Sequence, residues 1–280
     1  MLVMPHAKPL RYKHPYEHTP LVLAVFRFTF GRPKVNRGVR GRAAPDTPRA
    51  WAGEAQKATI SRAVRSANKS PARQGRRKET PMYFDTIEAA PLMTNCYLIG
   101  DEKAKACAVV DPGGSPEKVI AMIERSNMEI KMILLTHGHY DHVGAVGALQ
   151  KATGAKVYLE PADRQGSQMF PLASADAAYP ADGRLTVDEL TFTVWRTPGH
   201  TPGSVCLYCN GYLFSGDTLF AGSCGRTDLP GGSAADMRRS LSLLAELPLP
   251  ADTRVLPGHG EDTTLGEEKR HNPYMMGAWF

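Results

Sequence analysis

The chain is poor in cysteine, nearly devoid of acidic residues over its first 81 positions, and without any long apolar run. Its five cysteines (Cys96, Cys107, Cys206, Cys209 and Cys224) are odd in number and follow no framework spacing. This excludes a small disulfide-stapled secreted scaffold, and free thiols in a reducing cytoplasm are expected. Cys206 and Cys209 form a lone Cys-x-x-Cys, but they lie in the alternating run Ser204–Cys209, which reads as a strand. Residues three apart on a strand point to opposite faces, so no shared metal or redox pair is expected there. No window approaches the roughly 20 apolar residues of a membrane span. The nearest, Leu21–Phe30, is short and carries Arg27, so no membrane partner is expected.

The scarcity of acid is local. Residues 1–81 hold 4 Asp/Glu against 18 Lys/Arg, a net of +14, whereas residues 82–280 hold 24 against 16, a net of −8. The overall charge of +6 therefore describes neither part. A basic protein invites a nucleic-acid partner. Here the excess is confined to a tail with few aromatics interleaved among its charges for base stacking, which weighs against RNA or DNA. The tail also lacks a sustained period of 2 or 3.6. Residues 1–81 are thus expected to form a disordered basic extension. Two sharper readings are an organelle transit peptide and translated upstream sequence before a true start at Met82. The second is favoured, because Met82-Tyr-Phe-Asp-Thr-Ile opens an ordered pattern at once.

What remains, residues 82–280, reads as one α/β domain. The hydrophobic share of 42% is enough for a real core. Short β-rich runs are expected at Asn95–Ile99, Ala106–Val110, Ile130–Leu135, Lys156–Leu159, Leu190–Arg196, Ser204–Tyr208, Tyr212–Phe214 and Thr253–Leu256. Helices are expected from Pro116, with Ser115 as N-cap and Val119, Ile120 and Ile123 as apolar stripe, from Val143 to about Thr153, and over Ala234–Leu247.

The chemistry concentrates in Leu134-Leu-Thr-His137-Gly-His139-Tyr-Asp141-His142-Val-Gly144. A hydrophobic strand ends, and four donor side chains follow within six residues. Crowding three imidazoles and a carboxylate into one turn is costly unless a cation organises them, and these donors suit zinc, iron or manganese. Three further candidates each follow a strand inside a sharp turn: His200 between two Pro-Gly units, Asp217 after Ser-Gly, and His259 between glycines. Strand ends are where α/β folds gather functional loops. Of nine histidines three lie in the tail (His6, His14, His18), and five of the other six, all but His271, belong to this set.

The order Thr-His-x-His-x-Asp-His, then His, Asp and His resembles that of the metallo-β-lactamase superfamily, over roughly residues 82–280. The resemblance implies an αββα sandwich with the site at one edge between the sheets. It implies two divalent metal ions, zinc first and iron or manganese as alternatives. His137, His139 and His200 would hold one, Asp141, His142 and His259 the other, and Asp217 would bridge. Asp141 and Asp217 are also the candidates to orient the attacking water and take its proton. A cysteine usually stands at a second-metal position in the classical lactamases; here the carboxylates remain, which argues against a lactamase.

The stretches Gly216-Asp-Thr-Leu-Phe-Ala-Gly-Ser-Cys-Gly-Arg226-Thr-Asp-Leu-Pro and Pro257-Gly-His-Gly through Tyr274 are similar to the glyoxalase II-like branch, in its short bacterial hydroxyacylglutathione hydrolase form. That implies hydrolysis of a small-molecule thioester such as S-lactoylglutathione. Arg226, Lys269, Arg270 and Tyr274 are the candidates to contact an anionic substrate. Against this, Arg226 can simply pair with Asp228, and Arg270 can be a solvated surface charge. Two other readings stay open. A persulfide dioxygenase of the same superfamily would use a single iron with two His and one Asp, and a nucleic-acid-processing or -binding protein would use the basic tail.

Overall fold

The computed structural model describes residues 82–164 and 175–278. The expected basic extension, residues 1–81, lies outside the described residues. Strands β1 (Met82–Ala89), β2 (Thr94–Asp101), β3 (Ala106–Val110), β4 (Glu129–Leu134) and β5 (Lys156–Tyr158) form one sheet in that order. β1, β2 and β3 pair antiparallel, and β3, β4 and β5 pair parallel. A second sheet has the order β13 (Thr263–Thr264), β12 (Arg254–Pro257), β9 (Tyr212–Gly216), β8 (Val205–Cys209), β7 (Leu190–Arg196), β6 (Arg184–Val187). A two-stranded ribbon, β10 (Leu219–Phe220) and β11 (Ser223–Cys224), follows β9.

Three hydrophobic clusters define the layers. Tyr97, Ile99, Val110, Met132 and Leu134 of the first sheet meet Phe192, Val194, Leu207, Phe214 and Leu256 of the second. The alternate residues of the same strands face outward. Leu98, Val109 and Ile133 pack against helix α1 (Pro116–Ser126) through Val119 and Met122, and against α3 (Val146–Thr153) through Leu149. Cys206, Leu213 and Val255 pack against α4 (Ala234–Glu246) through Met237, Leu241 and Leu244. The period of two thus loads both faces of each sheet, which gives an αββα sandwich. It also separates the cysteine pair. Cys209 lies in the inter-sheet core and Cys206 under α4, and both are free thiols.

Three expectations need correction. The helix expected over Val143–Thr153 is two pieces, a turn α2 (Tyr140–Val143) and α3, broken at Gly144-Ala145. The backbone packs tightly there: a Cβ on Gly144 would lie 2.4 Å from the Gly113 carbonyl oxygen, and the Ala145 amide donates to the Pro112 carbonyl at 2.9 Å. That contact turns the chain, so α2 carries Asp141 and His142. Ser115 occupies the N-cap of α1 but does not cap it. Its backbone is left-handed (φ 47, ψ 56), and its Oγ accepts instead from the Ala90 amide at 3.2 Å. Finally, β1 was expected only as an ordered opening, and β6, β13 and a last helix α5 (Leu265–His271) were not expected at all. α5 is capped by Thr264, whose hydroxyl accepts from the Glu267 amide at 3.3 Å. No helix among the described residues is long and apolar enough to cross a membrane.

Candidate metal centre

Topology puts the seven histidines and aspartates at one edge. β4 ends just before the His137–His142 turn. In the second sheet β7 and β9 both pair antiparallel with β8, and β12 pairs parallel with β9. The C-terminal ends of β7, β9 and β12 therefore emerge on the same side, where they carry His200, Asp217 and His259. Glycine makes the approach possible. Gly216 has φ 50, and a Cβ there would lie 2.3 Å from Thr136 Oγ1. A Cβ on Gly258 would lie 2.3 Å from Asp217 Oδ1 and 2.5 Å from His142 Cε1. Asn95 and Tyr97 of β2 hold the His259 turn across the sandwich, with Asn95 Nδ2 donating to the Pro257 and Gly260 carbonyls and Tyr97 Oη donating to Pro257 at 2.6 Å.

The donor atoms fall into three overlapping groups, each within 4.8 Å: His137, His139, His200; His137, His142, Asp217; and Asp141, His142, His259. His139 Nδ1 lies 3.1 Å from His137 Nε2 and 2.8 Å from His200 Nε2. His259 Nε2 lies 3.1 Å from Asp141 Oδ2. Asp217 stands between the groups, with Oδ2 3.4 Å from His200 Nε2 and Oδ1 3.4 Å from His142 Nε2. His142 Nε2 and Asp217 Oδ1 are buried and have no hydrogen-bond partner. Buried polar atoms are rarely left so; a divalent cation would satisfy both.

The outward ring nitrogens fix the tautomers. His200 Nδ1 sits 2.8 Å from the Arg226 carbonyl, which can only accept. His142 Nδ1 sits 3.0 Å from Asp111 Oδ2. Thr136 Oγ1 donates to the same carboxylate oxygen at 2.6 Å and so accepts from His137 Nδ1 at 3.2 Å. Each ring thus carries its proton on Nδ1 and turns a lone pair on Nε2 into the centre, as metal-binding histidines do.

Protonation tendencies match neutral donors at His137 and His139 and run the other way at His142 and His259. Burial pushes the His137 imidazole well below its usual pKa, and the neighbouring His142, His200 and His139 add to this. His139 is lowered by burial and by His200. Burial would also lower His142, but Asp217 and Asp111 overcome it and raise its pKa well above the usual value. His259 is raised by its hydrogen bond to Asp141. Asp141, despite burial, is held down at about 2 by His259 and His142, and Asp217 is lowered by His142, His200 and His259. Without an ion, a proton on His142 answers the two aspartates that face it. A cation takes that place when it binds.

The four candidate substrate residues turn elsewhere. Arg226 forms a bidentate pair with Asp228 at 2.7 Å for both bonds, and both side chains are exposed. Lys269 Nζ donates to the Leu247 carbonyl at 2.9 Å, and Arg270 pairs with Glu267. Tyr274 is half-buried against the α4 core. The side chains of Arg226, Lys269 and Arg270 make these contacts outside the His/Asp cluster, while the Arg226 carbonyl holds His200. Sequence reasoning missed Asp111 and Asp163, which are buried carboxylates beside the donors. Asp111 follows Val109-Val110 at a strand end, the same signal that picked out Asp217.

Paired sheets with helices outside, and a His/Asp cluster at one shared edge, define a class of protein built to carry divalent metal. Residues 89–259 match the model of the metallo-beta-lactamase superfamily, and the chain belongs to that superfamily. A relative in Haemophilus influenzae, hydroxyacylglutathione hydrolase GloC, is 36% identical over 210 residues, covering 69% of this chain and 98% of the relative. The solved BLEG-1 B3 metallo-beta-lactamase superposes with a TM-score of 0.64 at 38% identity, covering 70% of this chain and 100% of that one. TTHA1623, solved in a di-iron-bound form, gives a TM-score of 0.60 at 38% identity, covering 68% and 99%. The chain is thus a member of a metallo-hydrolase superfamily.

Proposed function

We propose that this protein is a dinuclear metal-dependent hydrolase that cleaves a small-molecule thioester such as S-lactoylglutathione. The observation that carries the reading is the Asp217 carboxylate, whose two oxygens each lie 3.4 Å from a histidine of a different donor group. His137, His139 and His200 would hold one ion, Asp141, His142 and His259 the other, and Asp217 both. Zinc suits these nitrogen and oxygen donors, and the di-iron form of a similar protein makes iron the alternative to test. Two such ions supply a nucleophilic hydroxide at neutral pH and a Lewis acid for a carbonyl.

The chain's own groups do the rest. Asp141 and Asp217 stay ionised, and either could orient the attacking water. The fixed Nδ1 protons of His137, His142 and His200 keep the donor lone pairs aimed inward. A thiolate leaves without a strong acid to protonate it. The thioester, rather than a β-lactam, is favoured by the name of the Haemophilus relative and by the carboxylates at the second group. Arg226, Lys269 and Arg270 are engaged with Asp228, the Leu247 carbonyl and Glu267, so the substrate role proposed for them and for Tyr274 rests on the resemblance alone.

The test is a substrate panel on metal-analysed full-length protein: S-lactoylglutathione and other thioesters, a cephalosporin, glutathione persulfide with oxygen uptake, and RNA. Thioester turnover that collapses in His139→Ala and Asp217→Ala is expected. Turnover of the cephalosporin alone, or rapid oxygen uptake with one iron per chain, would replace this reading.

A further inference from the structure

Asp163 closes the three-residue helical turn Pro161–Asp163 after β5 and is buried, with 8% of its surface exposed. Its carboxylate reaches two loops at once. Oδ2 accepts from the Gly138 amide at 3.0 Å and from Thr201 Oγ1 at 2.6 Å, and Oδ1 accepts from the Gly203 amide at 2.7 Å. Gly138 is the residue between His137 and His139. Thr201 and Gly203 follow His200 directly. One buried carboxylate therefore ties together the two turns that carry all three donors of the first group.

The approach is close enough to dictate sequence. A Cβ on Gly138 would lie 2.6 Å from the Asp163 carbonyl oxygen and 2.9 Å from its Cβ. A Cβ on Gly203 would lie 2.6 Å from Asp163 Cγ and Oδ1. Both glycines are thus required by Asp163, not only by their own turns. All three donors to Asp163 are neutral, and among the described residues no Lys, Arg or His forms an ion pair with it. A buried carboxylate without a cationic partner is costly. The charge that answers it is the cation expected a few residues away on His137, His139 and His200.

We infer that Asp163 is a positioning residue for the first metal group, setting the separation of the His137–His139 turn from the His200 turn. It also supplies the negative charge behind them. Asp111 serves the other side directly, through His142, and reaches the first group only by way of Thr136 and His137. The inference rests on the two-metal reading and refines it by giving the His137, His139 and His200 group a buried carboxylate that bonds directly to both of its turns. Loss of an outer partner of this kind typically costs about 10–100-fold in metal affinity.

The experiment is a cobalt(II) titration of metal-free, full-length protein followed by visible absorption, on wild type, Asp163→Asn and Thr201→Val. Unfolding of the metal-free proteins is measured alongside. Asp163→Asn keeps the shape and removes the charge; Thr201→Val removes one donor and leaves the carboxylate. Expected is a fall of about 10–100-fold in the affinity of one of the two cobalt ions in Asp163→Asn, with a smaller fall in Thr201→Val. The affinity of the other ion is expected to change far less. Equal weakening of both ions, or unchanged affinity in Asp163→Asn, would overturn the positioning role. If Asp163→Asn fails to fold, Thr201→Val decides alone, and an unchanged affinity there overturns it. Wild type that binds one ion or none would sink the two-metal reading itself, an outcome distinct from the others.

Discussion

Replacing Asp111 by asparagine perturbs the centre without touching a donor. Asp111 is buried and accepts three hydrogen bonds: from the Thr136 amide at 2.8 Å, Thr136 Oγ1 at 2.6 Å and His142 Nδ1 at 3.0 Å. An asparagine presents one oxygen, and its amide group meets a donor wherever it points. At least one buried donor is then left unpaired, which costs about 1–3 kcal/mol of stability. If the oxygen stays with the Thr136 amide, His142 and Thr136 Oγ1 lose their shared acceptor. Nothing then holds the His142 proton on Nδ1, and its lone pair no longer points inward. The second-group ion is expected to weaken by about 10–100-fold, close to 1.4–2.8 kcal/mol. The assay is metal titration of metal-free protein together with thioester hydrolysis at limiting and excess metal. Hydrolysis lost at limiting metal and recovered in excess is the expected pattern. Unchanged metal affinity, with stability alone reduced, would show that Asp111 does not orient His142 for metal.

Other outcomes follow from the same contacts. Gly258→Ala places a methyl 2.3 Å from Asp217 Oδ1 and 2.5 Å from His142 Cε1; metal content is expected to drop toward one ion per chain, measured by emission spectrometry. On acidification the second group should release its ion first. Metal binding requires deprotonated imidazoles, and His142 and His259 have raised pKa values whereas His137 and His139 have lowered ones. The raised pair takes up protons at higher pH, so dialysis at stepped pH from neutral to about 5 is expected to leave singly loaded protein before metal-free protein. Phe192→Ala empties a fully buried position between the sheets and should cost about 3–5 kcal/mol in denaturant unfolding. Arg226→Ala removes an exposed pair and is expected to leave KM for the thioester unchanged; a large rise in KM would restore its substrate role.

The residues of the centre were readable because each announces itself locally. His200, Asp217 and His259 all follow a strand and sit beside glycine, and the His137–His142 run is dense in donors. The sheets were readable for a related reason: strands such as Leu190–Arg196 carry their period of two on their own. What escaped depends on distant partners. Asp111 and Asp163 act on residues 25 to 40 positions away, and a carboxylate that accepts from a remote backbone amide leaves no mark in its own neighbourhood. The glycine between His137 and His139 was visible, but not the Asp163 side chain that demands it. The break at Gly144-Ala145 has the same origin, since the hydrophobic period runs on through it and only the contact with Pro112 and Gly113 turns the chain. β6, β13 and α5 are short elements whose formation depends on pairing and capping more than on pattern.

Asp217 stands between two donor groups, each proposed to hold one ion. The most direct test of this arrangement is the number of metal ions per chain in purified full-length protein, wild type beside Asp217→Ala. Two ions are expected in wild type, and about one in Asp217→Ala with its fold intact. A single ion in wild type, or two ions retained after Asp217→Ala, would contradict this arrangement.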